Sequence, residues 1–217
     1  LFKGLEPIDD ADIYFSKRPF TKKVKDTRYH LSEDVLSSAG ISIAANDDVY
    51  YQTNRPVNGV FDGFNHLYRN NDLLPFSYTK MQHGNPHYCS GRDELWFDSD
   101  DKEIYVLKNA KADGFSGTPQ LAPKPINSYN PNIQDAQPWL SEDCNAIYFS
   151  STRDDNGIYM SKRISENQWG VPQHILKSGF GVGEPTLTAD MKKLFFMQIL
   201  KNEKEEFTTN LFYVEKR

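Results

Sequence analysis

The chain has 217 residues, 38% of them hydrophobic and 13% aromatic, with Phe and Tyr far outnumbering Trp. That length can form one all-β unit with a substantial core, and the aromatic content excludes a disordered polypeptide. A formal charge of -5 removes any bulk attraction to nucleic acid or an anionic membrane, and no apolar stretch approaches the roughly 20 residues of a membrane-spanning helix.

The chain opens at Leu1 rather than Met, as a processed or trimmed polypeptide would. Glu6-Pro7-Ile8 then leads through a polar turn to the apolar triplet Ile13-Tyr14-Phe15. The basic run that follows, Lys17, Arg18, Lys22, Lys23, Lys25 and Arg28, reads as a solvated loop. The opening pattern recurs at Gly40-Ile41-Ser42 before Val49-Tyr50-Tyr51, and at Asn85-Pro86-His87 before Leu95-Trp96-Phe97. It returns at Gln137-Pro138-Trp139 before Ile147-Tyr148-Phe149, and at Glu184-Pro185-Thr186 before Leu194-Phe195-Phe196. A third strand follows each hairpin at Leu67-Tyr68, Ile104-Tyr105, Ile158-Tyr159 and Leu211-Phe212-Tyr213, with Tyr29-His30-Leu31 as its counterpart in the first repeat. Phe115-x-x-x-Pro119 and Trp169-x-x-Pro172 mark outer fourth strands.

Four antiparallel strands repeated radially make a propeller blade, so the pattern predicts a single all-β propeller domain over 1–217. It has five four-stranded blades, with repeats starting near 6, 40, 85, 137 and 184, and almost no helix. The last repeat stops after its third strand, and Leu1-Phe2-Lys3-Gly4 resembles the tail of an outer strand that would close the ring. The two cysteines, Cys89 and Cys144, have no Cys-x-x-Cys spacing and sit at unequal offsets in their repeats. Two free thiols are expected, with a disulfide left open, and no metal or cofactor is expected.

The clearest repeat runs from Pro125-Ile126-Asn127-Ser128 through Gln137-Pro138-Trp139-Leu140-Ser141-Glu142-Asp143 and Ile147-Tyr148-Phe149-Ser150-Ser151-Thr152-Arg153. It continues through Ile158-Tyr159-Met160-Ser161-Lys162-Arg163 to Trp169-Gly170-Val171-Pro172. It resembles the TolB-type, WD40-like propeller repeat, most specifically over 125–175. The chain departs from that pattern by carrying Asp143-Cys144 and Asp190-Met191 where the family has Asp-Gly in the turns. The resemblance implies a propeller and a periplasmic or secreted setting; by itself it does not imply catalysis.

In a propeller the inner strands line a central channel. The residues entering them, Glu6, Gly40, Asn85, Gln137 and Glu184, and those two places on, Ile8, Ser42, His87, Trp139 and Thr186, would surround a mouth. Asn85, His87, Gln137, Trp139 and Glu184 are therefore the candidate binding residues. Trp139 offers a stacking face and His87 a hydrogen bond, although both residue types equally suit a channel wall. The connection 111–136 is expected to bring Tyr129 and Asp135 near the same mouth. Glu6 and Glu184 are equivalent positions in the first and last repeats, and two facing carboxylates are what glycoside hydrolysis needs.

The leading reading is a non-enzymatic module holding a protein segment or a glycan, and the alternative is a glycoside hydrolase using Glu6 and Glu184. Arg18, Arg55 and Arg153 each end a second strand and read as structural hydrogen-bonding residues. Asp98, Asp100, Asp101 and Glu103 lack the spacing of a calcium loop. The sequence leaves the oligomeric state open.

Overall fold

The computed structural model describes residues 14–15, 24–25, 37–178, 181–202 and 204–216. In the first repeat, β1 (Tyr14–Phe15) and β2 (Val24–Lys25) pair antiparallel. Four antiparallel sheets follow as blades. The first comprises β3 (Ser38–Ile43), β4 (Val49–Thr53), β5 (His66–Arg69) and β6 (Asp72–Leu73). The second comprises β7 (His83–Cys89), β8 (Glu94–Ser99), β9 (Ile104–Lys108) and β10 (Gln120–Leu121). The third has β11 (Asp135–Leu140), β12 (Ala146–Ser151) and β13 (Gly157–Ser165), with β14 (Gln168–Trp169) and β15 (Gln173–Lys177) both on β13. The fourth is β16 (Val182–Leu187), β17 (Lys193–Lys201) and β18 (Phe207–Glu215). Among the described residues the helical content is one 3-10 turn, Pro75–Ser77.

The all-β propeller is as expected, but the described residues hold four blades instead of five, with four, four, five and three strands. Of the first repeat only the β1–β2 pair falls among the described residues. The Leu1–Gly4 closing strand and the Tyr29-His30-Leu31 strand lie outside the described residues.

The apolar triplets are continuous because the second strands β4 and β8 are buried on both faces, and β12 and β17 bury one face and half-bury the other. In β8, Leu95 and Phe97 face back to the first blade and pack with Tyr50, Tyr88 and Phe115, while Trp96 faces forward to Ile147, Phe149 and Trp169. In β17, Leu194 and Phe196 face back onto Ile158 of the third blade. Phe115 departs from its expected place in an outer strand. It lies before β10 in a turn at φ 56° and drops its ring into the core between the first two blades.

The second and third blades are also joined by polar groups. The Arg163 guanidinium is buried against Glu94, with Nη2–Oε2 at 2.6 Å and Nη1–Oε1 at 3.2 Å, and it lies 4.4 Å from the Trp169 ring centre. The Trp96 indole N–H donates to the same Glu94 carboxylate at 3.0 Å. Beside this pair, Cys89 and Cys144 are disulfide-bonded, which corrects the expectation of free thiols. Cys89 ends the inner strand of one blade and Cys144 sits in the first turn of the next, so their unequal offsets are what a bond between neighbouring blades requires.

Candidate binding channel

Each inner strand breaks its ladder at one place. The register shifts fall between Ala39 and Ser42, Gly84 and His87, Ala136 and Trp139, and Gly183 and Thr186. Within each shift one residue has positive φ: Gly40 at 58°, Asn85 at 49°, Gln137 at 56° and Glu184 at 54°. These bulges are the positions on which the repeats align. Gly and Asn adopt this conformation readily, whereas Gln137 and Glu184 adopt it at a cost that the surrounding contacts must offset.

The compensating contact is a latch from blade to blade. The amide of Asn85 donates to Gln52 Oε1 at 2.7 Å, and the amide of Gln137 donates to Asp98 Oδ2 at 2.7 Å. The Asn85 side-chain amide donates to the same Asp98 oxygen at 2.9 Å. In the third blade the equivalent second-strand residue is Ser150, whose side chain is shorter. Its hydroxyl donates to Gln137 Oε1 at 2.7 Å, and that oxygen accepts the Glu184 amide at 2.9 Å. The residue before each bulge is small because the latch lies over it. A Cβ at Gly84 would come within 2.7 Å of Asp98 Oδ1, and one at Gly183 within 2.2 Å of Gln137 Oε1. Sequence reasoning missed Gln52 and Asp98. The available signal was a polar residue directly after the apolar triplet, opposite an Ala or Gly.

The channel carries three connected cavities. One, about 280 Å³, lies towards the start of the inner strands and is lined by Asn85, Asp98, Gln137 and Ser150. A middle one of about 380 Å³ is lined by all four inner strands, including Gly40, Asn85, Gln137 and Glu184. The mouth, about 600 Å³, is walled by Ile41, Ile43, His87, Trp139, Leu187 and Met191. Asn85, Gln137 and Glu184 therefore lie midway along the channel at the bulges, and His87 and Trp139 line the mouth beyond them. The His87 and Trp139 rings sit 5.4 Å apart, tilted by 54°, and Tyr148 stands edge-on to Trp139 at 6.0 Å. Burial pushes His87 down to about 4, against a hydrogen bond with the Leu140 backbone, so its imidazole is neutral at pH 7.

Water reaches Glu184, yet the walls of four blades enclose it. That desolvation, followed by repulsion from Asp98, pushes its carboxyl above the usual range. Asp98 is also raised, chiefly by burial, although the Gln137 and Asn85 donors oppose it. The acidic neighbour of Glu184 seen here is thus Asp98. Glu6, its expected partner, lies outside the described residues.

The other residues singled out from the sequence serve the framework. Asp135 is fully buried and paired with Arg153, while the Tyr129 hydroxyl donates to the Ala122 carbonyl. Neither lines the three cavities, contrary to expectation, because Asp135 is engaged by Arg153 and Ser151 and the Tyr129 hydroxyl by the loop backbone. Arg153 also donates to the carbonyls of Pro125 and Ile126, and Arg55 to the Tyr51 hydroxyl. Arg18 is outside the described residues. In the acidic stretch, Asp98 serves the latch and Asp101 accepts from the Glu103 amide and the Tyr105 hydroxyl. Among the described residues no group of three or more His, Cys, Asp or Glu is placed to hold a metal.

No protein-family model matches the chain, and no curated protein matches it. Solved structures do share its fold. The catalytic domain of a GH62 α-L-arabinofuranosidase from Coprinopsis cinerea aligns at 9% identity and a TM-score of 0.53, covering 81% of this chain and 64% of that one. A thermostable family-43 glycoside hydrolase aligns at 14% and 0.52, covering 84% and 72%. A TolB candidate from Agrobacterium tumefaciens aligns at 12% and 0.49, covering 83% and 60%. At such identities the likeness is one of propeller fold.

Proposed function

We propose that this chain is a non-enzymatic binding propeller of TolB-like type that holds a protein segment or a glycan at the channel mouth, in the periplasm or outside the cell. The observation that carries the reading is the mouth of about 600 Å³, an apolar and aromatic wall with His87 and Trp139 side by side. Trp139 is half-buried, whereas the other two tryptophans are 1% and 5% exposed, so an aromatic platform is offered on this surface. The Cys89–Cys144 disulfide supports an oxidising compartment. The test is a display selection of random peptides on the native protein, with a glycan array beside it. Selected ligands should lose at least tenfold in affinity on Trp139→Ala while the melting temperature holds. Ligands that bind Trp139→Ala equally well contradict the reading.

One observation favours a second reading, a glycoside-active enzyme. Glu184 and Asp98 are carboxyl groups in one channel, both with raised pKa, as a general acid requires. A screen of aryl-glycosides separates the two readings. Turnover that disappears in Glu184→Gln supports the enzyme, and no turnover on any sugar removes it.

A further inference from the structure

We propose that the ligand group entering the channel is a basic side chain, lysine or arginine, presented by an extended segment of a protein partner. This rests on the mouth-binding reading and names its ligand chemistry. Among the described residues no Lys or Arg lines any of the three channel cavities. The charged residues that do line them are Asp98, Glu142 and Glu184. Among the described residues, the Glu184 carboxylate makes no hydrogen bond or ion pair, although it lines the middle cavity together with Trp139.

The shape of the path fits the same ligand. The mouth is mainly apolar, with Ile41 46% and Ile43 66% exposed beside Leu187 and Met191 and Glu142 as its acidic residue, and the Glu184 carboxylate follows in the middle cavity. A lysine or arginine has that order of groups, a methylene stem followed by a cation. This fold also shows how it accommodates a guanidinium. Arg163 is held by the Glu94 carboxylate with the Trp169 face 4.4 Å away. Trp139 and Glu184 offer the same two kinds of group along the channel.

The experiment follows tryptophan fluorescence, which reports on the mouth because Trp96 and Trp169 are buried. Blocked pentapeptides with lysine, arginine or norleucine at the centre of four alanines are titrated into the protein, with cellobiose as the sugar probe. The lysine and arginine peptides should bind at least tenfold more tightly than the norleucine peptide, and more weakly as salt is raised. In Glu184→Gln, checked by thermal melt, that preference should shrink to within twofold. Equal binding of norleucine, a preference unchanged in Glu184→Gln, or no binding by any pentapeptide overturns the proposal. Norleucine binding lost in Trp139→Ala leaves the mouth reading standing while the cation falls. Tighter binding of cellobiose replaces the protein partner with a glycan.

Discussion

The buried pair between the second and third blades gives a sharply defined expectation for Glu94→Gln. The substitution keeps the volume but removes the charge that faces Arg163, whose side chain is 2% exposed and held in a bidentate grip. It also takes an acceptor oxygen from the Trp96 indole N–H. Leaving one member of a buried pair uncompensated costs about 3–5 kcal/mol. For a chain of this size each kcal/mol moves the melting temperature by roughly 2–4 °C, so a fall of about 6–20 °C is expected. Circular dichroism melts in non-reducing buffer measure it with the disulfide intact. A companion double variant, Glu94→Met with Arg163→Met, should recover much of the loss, because both desolvation penalties disappear together. A change under about 2 °C in Glu94→Gln would refute the reasoning, since it would mean that water already reaches the guanidinium.

Two further outcomes are expected. Replacing Cys89 and Cys144 by Ser releases a crosslink spanning 55 residues; the loop-closure model gives a loss of about 4 kcal/mol, read as a fall in the urea midpoint. Burial holds both His83 and His87 down to about 4 from an ordinary 6.5, so the unfolded chain binds more protons between those values. Stability should therefore be full above pH 6.5 and be lost as pH falls from 6.5 towards 4, with the imidazole resonances titrating near 4 in an NMR series. Asp98 and Glu184 act in the opposite sense. Their raised pKa values mean that their contribution is present at low pH and is lost as pH rises through the folded values, which partly flattens the acid limb.

Much of the fold is legible because the second strand of a blade packs on one or both faces against its neighbours, so Leu95-Trp96-Phe97 and Ile147-Tyr148-Phe149 stand out as unbroken apolar runs. What is harder to read is anything that depends on how one blade meets the next. The Cys89–Cys144 bond, the Glu94–Arg163 pair and the latch from Asp98 to Gln137 all cross that boundary. Phe115 misleads for the same reason. Its spacing to Pro119 mimics a strand, whereas its ring fills a gap between two sheets. At the site, Asn85, Gln137 and Glu184 are legible as aligned positions. Their placement midway along the channel follows from the bulge, and neither Gln137 nor Glu184 is a residue type that advertises positive φ.

The openness of the mouth can be measured directly by acrylamide quenching of tryptophan fluorescence in the native protein and in Trp139→Phe. One of the three tryptophans lies at the mouth, so a single accessible class of fluorophore is expected, and it should disappear in the variant. Quenching that is absent from the native protein, or unchanged in Trp139→Phe, would show that Trp139 is sealed into the channel wall and would contradict a binding platform there.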